Sequence, residues 1–278
     1  MHRRLARLAR GDGGTALRRA ATALAVPLVL LLAWELLVHA ARIPHYVLPA
    51  PSLVLATLWA NLGSLMLSWW FTVKITFGAL ALSAVLGVVL AALFALSPWV
   101  ERLLLPVAIV LQVTPIVAIA PLILIYVDST TAALLICAWI VAFFPILSNT
   151  VIGLRSADAN LKDLFTLYRA SRLQRLRLLL VPTALPYFLA GLKIAGGLSL
   201  IGAVVAEFTA GAAGRETGLA SRILEASFRT EVPKMFAALL LVSLTGIAIF
   251  LLFNALGRRL LGRWHDSESP QPDRRPSP

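Results

Sequence analysis

Residues 70–96 read WFTVKITFGALALSAVLGVVLAALFAL, with Lys74 as their single charged side chain. A helix needs about 20 predominantly apolar residues to cross the hydrocarbon core of a bilayer, so this stretch spans a membrane with length to spare. Five further stretches share its character, at residues 20–40, 103–125, 132–152, 186–208 and 233–256. The composition agrees. Of 278 residues 59% are hydrophobic and 14% are charged, against roughly a quarter charged in an ordinary soluble domain. Mean hydropathy is +0.86. One soluble core of this size could not bury so much apolar surface. A disordered chain, a nucleic-acid-binding arm and most soluble enzymes are excluded. The expected fold class is an all-α polytopic membrane protein with six transmembrane helices.

The net charge of +12 would suit an anionic partner, but the basic residues lie between the apolar stretches. That placement points to a lipid membrane and not to nucleic acid. Eighteen Lys and Arg fall within residues 1–19, the turn holding Arg102, the loop 153–181 and the tail 257–278. Only four, Arg42, Arg215, Arg222 and Arg229, fall on the other side. The asymmetry places both termini in the cytoplasm. The first stretch has a basic start and a Val38-His39-Ala40 sequence like a cleavage site, yet its apolar run exceeds that of a signal peptide. It is read as a membrane anchor. The expected organisation is therefore a basic cytoplasmic N-terminus (1–19), an anchor (20–40), a core (44–264) with a cytoplasmic loop (153–182), and a Ser/Pro-rich disordered tail (265–278). Within the core, 44–68 is expected to lie flat on the outer surface, with Leu53, Ala56 and Trp59 on one side. Trp69 and Trp70 would mark the outer aromatic belt.

The loop 153–182 reads GLRSADANLKDLFTLYRASRLQRLRLLLVP. Asp158 can cap a helix in which Leu161, Leu164, Phe165 and Tyr168 share one face. Ser171 starts a second helix with Leu173, Leu176 and Leu180 apolar, and Pro182 is expected to stop it. Two short amphipathic helices then lie below the membrane. They either touch lipid headgroups or dock a soluble partner.

Here the sequence resembles a known family, the transmembrane permease subunit of binding-protein-dependent ABC importers, of the nitrate, sulfonate, taurine and vitamin-precursor type. The family's loop motif is Glu-Ala-Ala, three residues, Gly, nine residues, then Ile-x-Leu-Pro. Asp163-Leu164-Phe165 stands for Glu-Ala-Ala, Arg169 for Gly, and Leu179-Leu180-Val181-Pro182 for the end, with the spacing kept. Leu48-Pro49-Ala50-Pro51-Ser52, the run Phe143–Thr150, Ala184-Leu185-Pro186-Tyr187, Gly191–Ala195 and Val204-Val205-Ala206-Glu207 are similar to further family segments. The resemblance covers residues 28–264.

It implies a type I importer permease that pairs with a second permease copy, a cytoplasmic ABC ATPase dimer and an extracytoplasmic substrate-binding protein. ATP would sit on the ATPase. The chain itself holds no phosphate-binding Gly-x4-Gly-Lys-Ser/Thr loop, and no cofactor, metal or catalytic residue is expected. The resemblance assigns ATPase coupling to Asp163, Leu164, Phe165, Tyr168, Arg169, Ala170, Ser171 and Pro182. Arg169 departs from the family glycine: either it stays helical and the turn moves to Ala170-Ser171, or the loop is remodelled. The carried solute is expected to be small and organic, such as a pyrimidine or vitamin precursor, or else a sulfonate- or nitrate-like anion. The run Gln112–Pro121 looks more like the former branch.

The residues add their own candidates. Span three carries Pro106, Pro115 and Pro121, with Gln112 and Thr114 near its middle. A helix broken in this way either lines a translocation path or is a kinked packing helix. Glu207 and Asn149 are further path candidates, and Glu207 could alternatively pair with Arg215. Lys74 and Lys193 can snorkel; Glu35 has no evident partner. Gly191, Gly196, Gly197 and Gly202 allow close helix approach, in a homodimer interface or within the bundle. A secondary transporter or channel working without ATP is the competing function, but neither inverted repeats nor a charged midplane site is detected.

Overall fold

The computed structural model describes residues 25–211 and 217–261. The expected basic N-terminus and disordered tail lie outside them. The described residues are helical and contain no strand. The chain divides into two compact units, residues 1–62 with 226–237 and residues 63–225 with 238–278.

In the first unit, α1 (Ala25–Ala40) ends where Arg42 takes φ 49°. The Arg42 N–H bonds His39 O and the Ile43 N–H bonds Val38 O, the two bonds of a Schellman cap made without glycine. Helix α2 (Pro51–Ala60) opens on proline at its first position, with Ala50 unable to cap it. Glu35 of α1 supplies the cap. Its carboxylate accepts the Ser52 N–H at 3.0 Å and the Ser52 hydroxyl at 2.6 Å. The glutamate without an evident partner is thus the acceptor for an orphan N-terminal donor. Trp34 packs on Phe236 with centroids 5.8 Å apart, and Val54 is buried while Leu53, Ala56 and Trp59 are exposed, the side expected for α2.

The second unit holds α3 (Leu62–Leu96), α4 (Pro98–Val113), α5 (Ile116–Tyr126), α6 (Thr130–Arg155), α7 (Ala159–Leu167), α8 (Arg172–Arg175) and α9 (Val181–Ala210), with parts of α10 (Leu219–Phe228) and α11 (Val232–Leu261). Four helices are long and apolar enough to cross a membrane: α3, α6, the continuous Arg172–Ala210 and α11. The pair α4 and α5, bent by 103°, makes a fifth if counted as one broken span. Span three is therefore not a single straight helix. The expected first span begins outside the described residues, and α1 by itself is shorter than a span. Helix α3 starts eight residues before the expected 70, absorbing residues assigned to the surface segment. Trp69, one of the two expected belt residues, is half-buried. Its indole donates to Thr245 Oγ1 at 2.8 Å.

Helices α6 and α9 run antiparallel at the centre of this unit, and glycines set their approach. A Cβ on Gly202 would lie 2.9 Å from Ala138 Cα. On Gly191 it would lie 2.8 Å from Pro145 O, and on Gly153, at the other end, 2.8 Å from Ala184 Cα. Gly196 closes on Phe253 and Ile249 of α11, whereas Gly197 faces open space. Three of the four span-five glycines are thus used within the chain. The dimer-interface alternative fits only Gly197. Small residues at a helix contact let backbones approach where side-chain hydrophobicity gives no advantage over lipid.

Candidate functional site

The loop between α6 and α9 is capped at every turn. Asp158 accepts the N–H groups of Asn160 at 2.7 Å and Leu161 at 3.3 Å, starting α7. Helix α7 ends in a Schellman cap: Arg169 N–H to Thr166 O at 3.0 Å and Ala170 N–H to Phe165 O at 2.9 Å, with Arg169 at φ 50°. Arg169 neither stays helical nor moves the turn. It adopts the left-handed conformation that its family glycine would adopt, at a cost of about 1–2 kcal/mol. Ser171 then forms a capping box with Gln174, at 3.2 and 2.8 Å. This second helix is not stopped by Pro182. A π turn over Leu176–Leu180 carries it into α9, with Val181 N–H bonding Leu176 O, and Pro182 falls in the first turn of α9. The helix is thus continuous through Pro182 despite that residue's missing donor.

The face of α7 is split. Leu161, Leu164, Leu167 and Tyr168 are exposed, the last two at 80%, while Phe165 is half-buried. The expected apolar stripe thus rotates by about one position: Leu167 joins it and Phe165 turns towards its own chain. Asp163 and Ser171 are exposed and Ala170 is half-buried. Three contacts that sequence spacing did not reveal hold the loop. Arg155, the last residue of α6, pairs with Glu101 in the first turn of α4. Lys162 Nζ donates to the orphan Arg155 carbonyl at 3.1 Å. Arg175 Nη2 donates to Thr166 Oγ1 at 2.7 Å, tying α8 to α7.

At the bend of α4 and α5, Gln112, Thr114 and Pro115 line one cavity of about 340 Å³ with Ile140, Val141, Pro145 and Leu198. The 103° break follows from Pro115, which has no N–H to continue the helix and holds Thr114 extended, at ψ 121°. Thr114 Oγ1 donates to Val110 O at 2.7 Å, which leaves its lone pairs free, and the Gln112 side chain is exposed. The lining residues carry no charge. Asn149 is not brought to this cavity: its amide donates to Pro145 O at 2.8 Å, and its Cβ lies against Gly191 of α9.

Glu207 is also elsewhere, and fully buried. Its carboxylate accepts the Thr72 hydroxyl at 2.8 Å and the Ala220 N–H at 3.0 Å. Arg215 lies outside the described residues. The usable signal was Thr72, a hydroxyl inside an apolar span that had to find a partner. Lys193, one of the two snorkelling candidates, has partners on α11. Its ammonium donates to Asn254 Oδ1 at 2.7 Å and sits 4.7 Å from the centroid of Phe250.

The chain resembles known transport proteins along most of its length. It is 34% identical over 257 residues to the riboflavin transport system permease protein RibX of Chloroflexus aurantiacus, covering 89% of this chain and 91% of that one. It is 33% identical over 235 residues to the formylaminopyrimidine transport permease protein ThiX of Halalkalibacterium halodurans, covering 84% and 92%. The putative aliphatic sulfonates transport permease protein SsuC of Bacillus subtilis shares 27% over 246 residues, covering 88% and 87%. The family described as binding-protein-dependent transport system inner membrane component matches residues 83–262, from the middle of α3 to the end of α11. With its apolar helices, its broken span and a capped loop between α6 and α9, the chain belongs to that family: it is an ABC transporter permease, a multi-pass inner-membrane transport component.

Proposed function

We propose that this chain is the permease subunit of an ATP-driven importer, with six spans and both termini in the cytoplasm. It forms half of a homodimeric translocation path, receives solute from an extracytoplasmic binding protein and couples to a separate ATPase dimer, on which ATP is held. The observation that carries this reading is α7. Its ends are fixed by Asp158 and by the Arg169 cap, and its Leu161, Leu164, Leu167 and Tyr168 side chains are exposed. An amphipathic helix held rigidly with its apolar face outward is the half of a helix-in-groove contact. Asp163, Arg169, Ala170 and Ser171 lie at its rim and turn; Phe165 is half-buried behind it, and Pro182 lies beyond it in the first turn of α9. Closure of the ATPases would move α7 and, through α8, the continuous helix into α9, a rigid-body switch.

The path is proposed at the α4–α5 break, where Gln112, Thr114 and Pro115 line an uncharged cavity. That lining supports a neutral heterocyclic solute, of the pyrimidine or vitamin-precursor kind, over a sulfonate or nitrate anion. The names of two of the relatives point the same way. Glu207 and Asn149 support neighbouring helices and do not contact the solute.

The test is purification of the tagged chain from its native membrane. An ATPase subunit and ATP hydrolysis are expected to accompany it, and Leu164→Ser with Tyr168→Ser, both exposed, to release the ATPase while leaving the chain folded. A chain that purifies alone and moves solute down a gradient would replace this reading with that of an ATP-independent transporter.

A further inference from the structure

Two adjoining cavities, of about 350 and 250 Å³, lie where the end of α3 and the start of α4 meet the last turn of α6, α7 and α8. Arg175 lines both. Arg155 and Lys162 line the first, and Arg172 lines the second. The one acidic residue in either lining is Glu101, and it is already paired with Arg155. Lys162 bonds only an uncharged carbonyl, and Arg175 only an uncharged hydroxyl, among the hydrogen bonds described. The Arg175 Nε is buried with no hydrogen-bond partner among the described residues. A buried guanidinium donor of that kind requires an acceptor. Two arginines and a lysine lining these adjoining cavities, with no unpaired acid in either lining, suit phosphate oxygens in charge.

Phe94, Leu154 and Leu180 give the same lining an apolar part. Val89 and Leu93 of α3 and Leu103 of α4 are exposed. A free anion has no use for that apolar flank, whereas acyl chains do. We propose that this cleft binds a phosphate-bearing anion, and that its occupant is the headgroup of an anionic phospholipid whose acyl chains run along α3 and α4. Basic pockets between membrane helices take such headgroups. The lipid would bridge α7 and α8 to the bundle, so the orientation of the exposed α7 face would depend on membrane composition. Placing this lipid in the cytoplasmic leaflet rests on the proposed topology; binding itself does not depend on the ATPase or on transport.

Native mass spectrometry of the full-length chain tests this with phosphatidylglycerol, phosphatidylcholine and inorganic phosphate as separate probes. Phosphatidylglycerol is expected to bind, and Lys162→Gln with Arg175→Gln to weaken it about thirtyfold. Phosphatidylcholine should bind only at that weakened level. Arg258→Gln with Arg259→Gln, at the end of α11, should leave binding as in the parent chain. Should the double variant not fold, Arg172→Gln alone, at an exposed side chain, is expected to weaken binding about fivefold. Inorganic phosphate that binds the delipidated chain, displaces the lipid and is lost in the same variants would assign the cleft to a free anion and overturn the lipid occupant. Equal phosphatidylglycerol binding by parent and variants, or equal binding of phosphatidylcholine, would overturn the proposal.

Discussion

Thr72 and Glu207, 135 residues apart, share a hydrogen bond of 2.8 Å and together cap a helix to which neither belongs. The Leu219 N–H donates to Thr72 Oγ1 at 2.9 Å, and the Ala220 N–H to Glu207 Oε2 at 3.0 Å. Helix α10 therefore begins on Gly218, which has no side chain to cap it, and the acceptors for its first two N–H donors come from α3 and α9. Acceptors of either charge state satisfy an orphan donor, and a carboxylate also complements the helix dipole. Glu35 does the same for α2 through Ser52. In an apolar interior such a capping group is the alternative to an unpaired backbone donor, which is costly.

Removing this cap should destabilise the chain without touching the proposed path. Glu207→Ala strands the Ala220 donor, leaves the Thr72 hydroxyl only its 3.3 Å contact to Ser68 O, and should cost about 2–3 kcal/mol. Glu207→Gln, which keeps one acceptor oxygen, should cost less. Thermal unfolding in detergent would rank the variants; equal melting of Glu207→Ala and the parent chain would contradict the role.

Gly218→Ala should be severe, because its Cβ would fall on the Glu207 carboxylate itself. The two substitutions should couple. Glu207→Ala removes the obstacle, so the double variant should be less destabilised than the sum of the single ones by 0.5–3 kcal/mol, the range for residues in contact. Strict additivity in the melting data would place the clash elsewhere.

The long apolar stretches made the bundle legible, because a membrane leaves few alternatives to long apolar helices. The loop helices were legible from their caps, since Asp158 and Ser171 act through bonds two or three residues away. What the sequence concealed depends on partners far along the chain. Glu35 and Glu207 look unpaired until Ser52 and Thr72 arrive beside them. Pro182 looks like a stop because a π turn leaves no composition signature. The span-five glycines suit either a partner copy or α6, and only the three-dimensional approach to Ala138 and Pro145 decides between them.

Arg169 offers a test of loop strain. At φ 50°, Arg169→Gly keeps the Schellman bonds and relieves about 1 kcal/mol of steric cost, offset in part by the greater freedom of glycine when unfolded. Arg169→Val, β-branched at a left-handed position, should fray the end of α7. Hydrogen exchange at the Arg169 and Ala170 amides reads this directly. Protection is expected to be kept in the glycine variant and lost in the valine variant; equal protection in both would mean that the cap does not hold the turn.

Solute recognition is proposed at the cavity of the α4–α5 break, apart from the ATPase contact proposed on α7. Gln112→Ala and Thr114→Val remove the two polar side chains from its lining while leaving α7 untouched. Each hydrogen bond to a solute is worth about 1 kcal/mol, so each variant should raise the KM of reconstituted transport roughly fivefold with the ATPase still bound. Leu164→Ser with Tyr168→Ser should give the opposite pattern, loss of the ATPase with the cavity unchanged. If the Gln112 and Thr114 variants transported as the parent chain does, the break would be a packing kink, and the path would have to run along another face of the bundle.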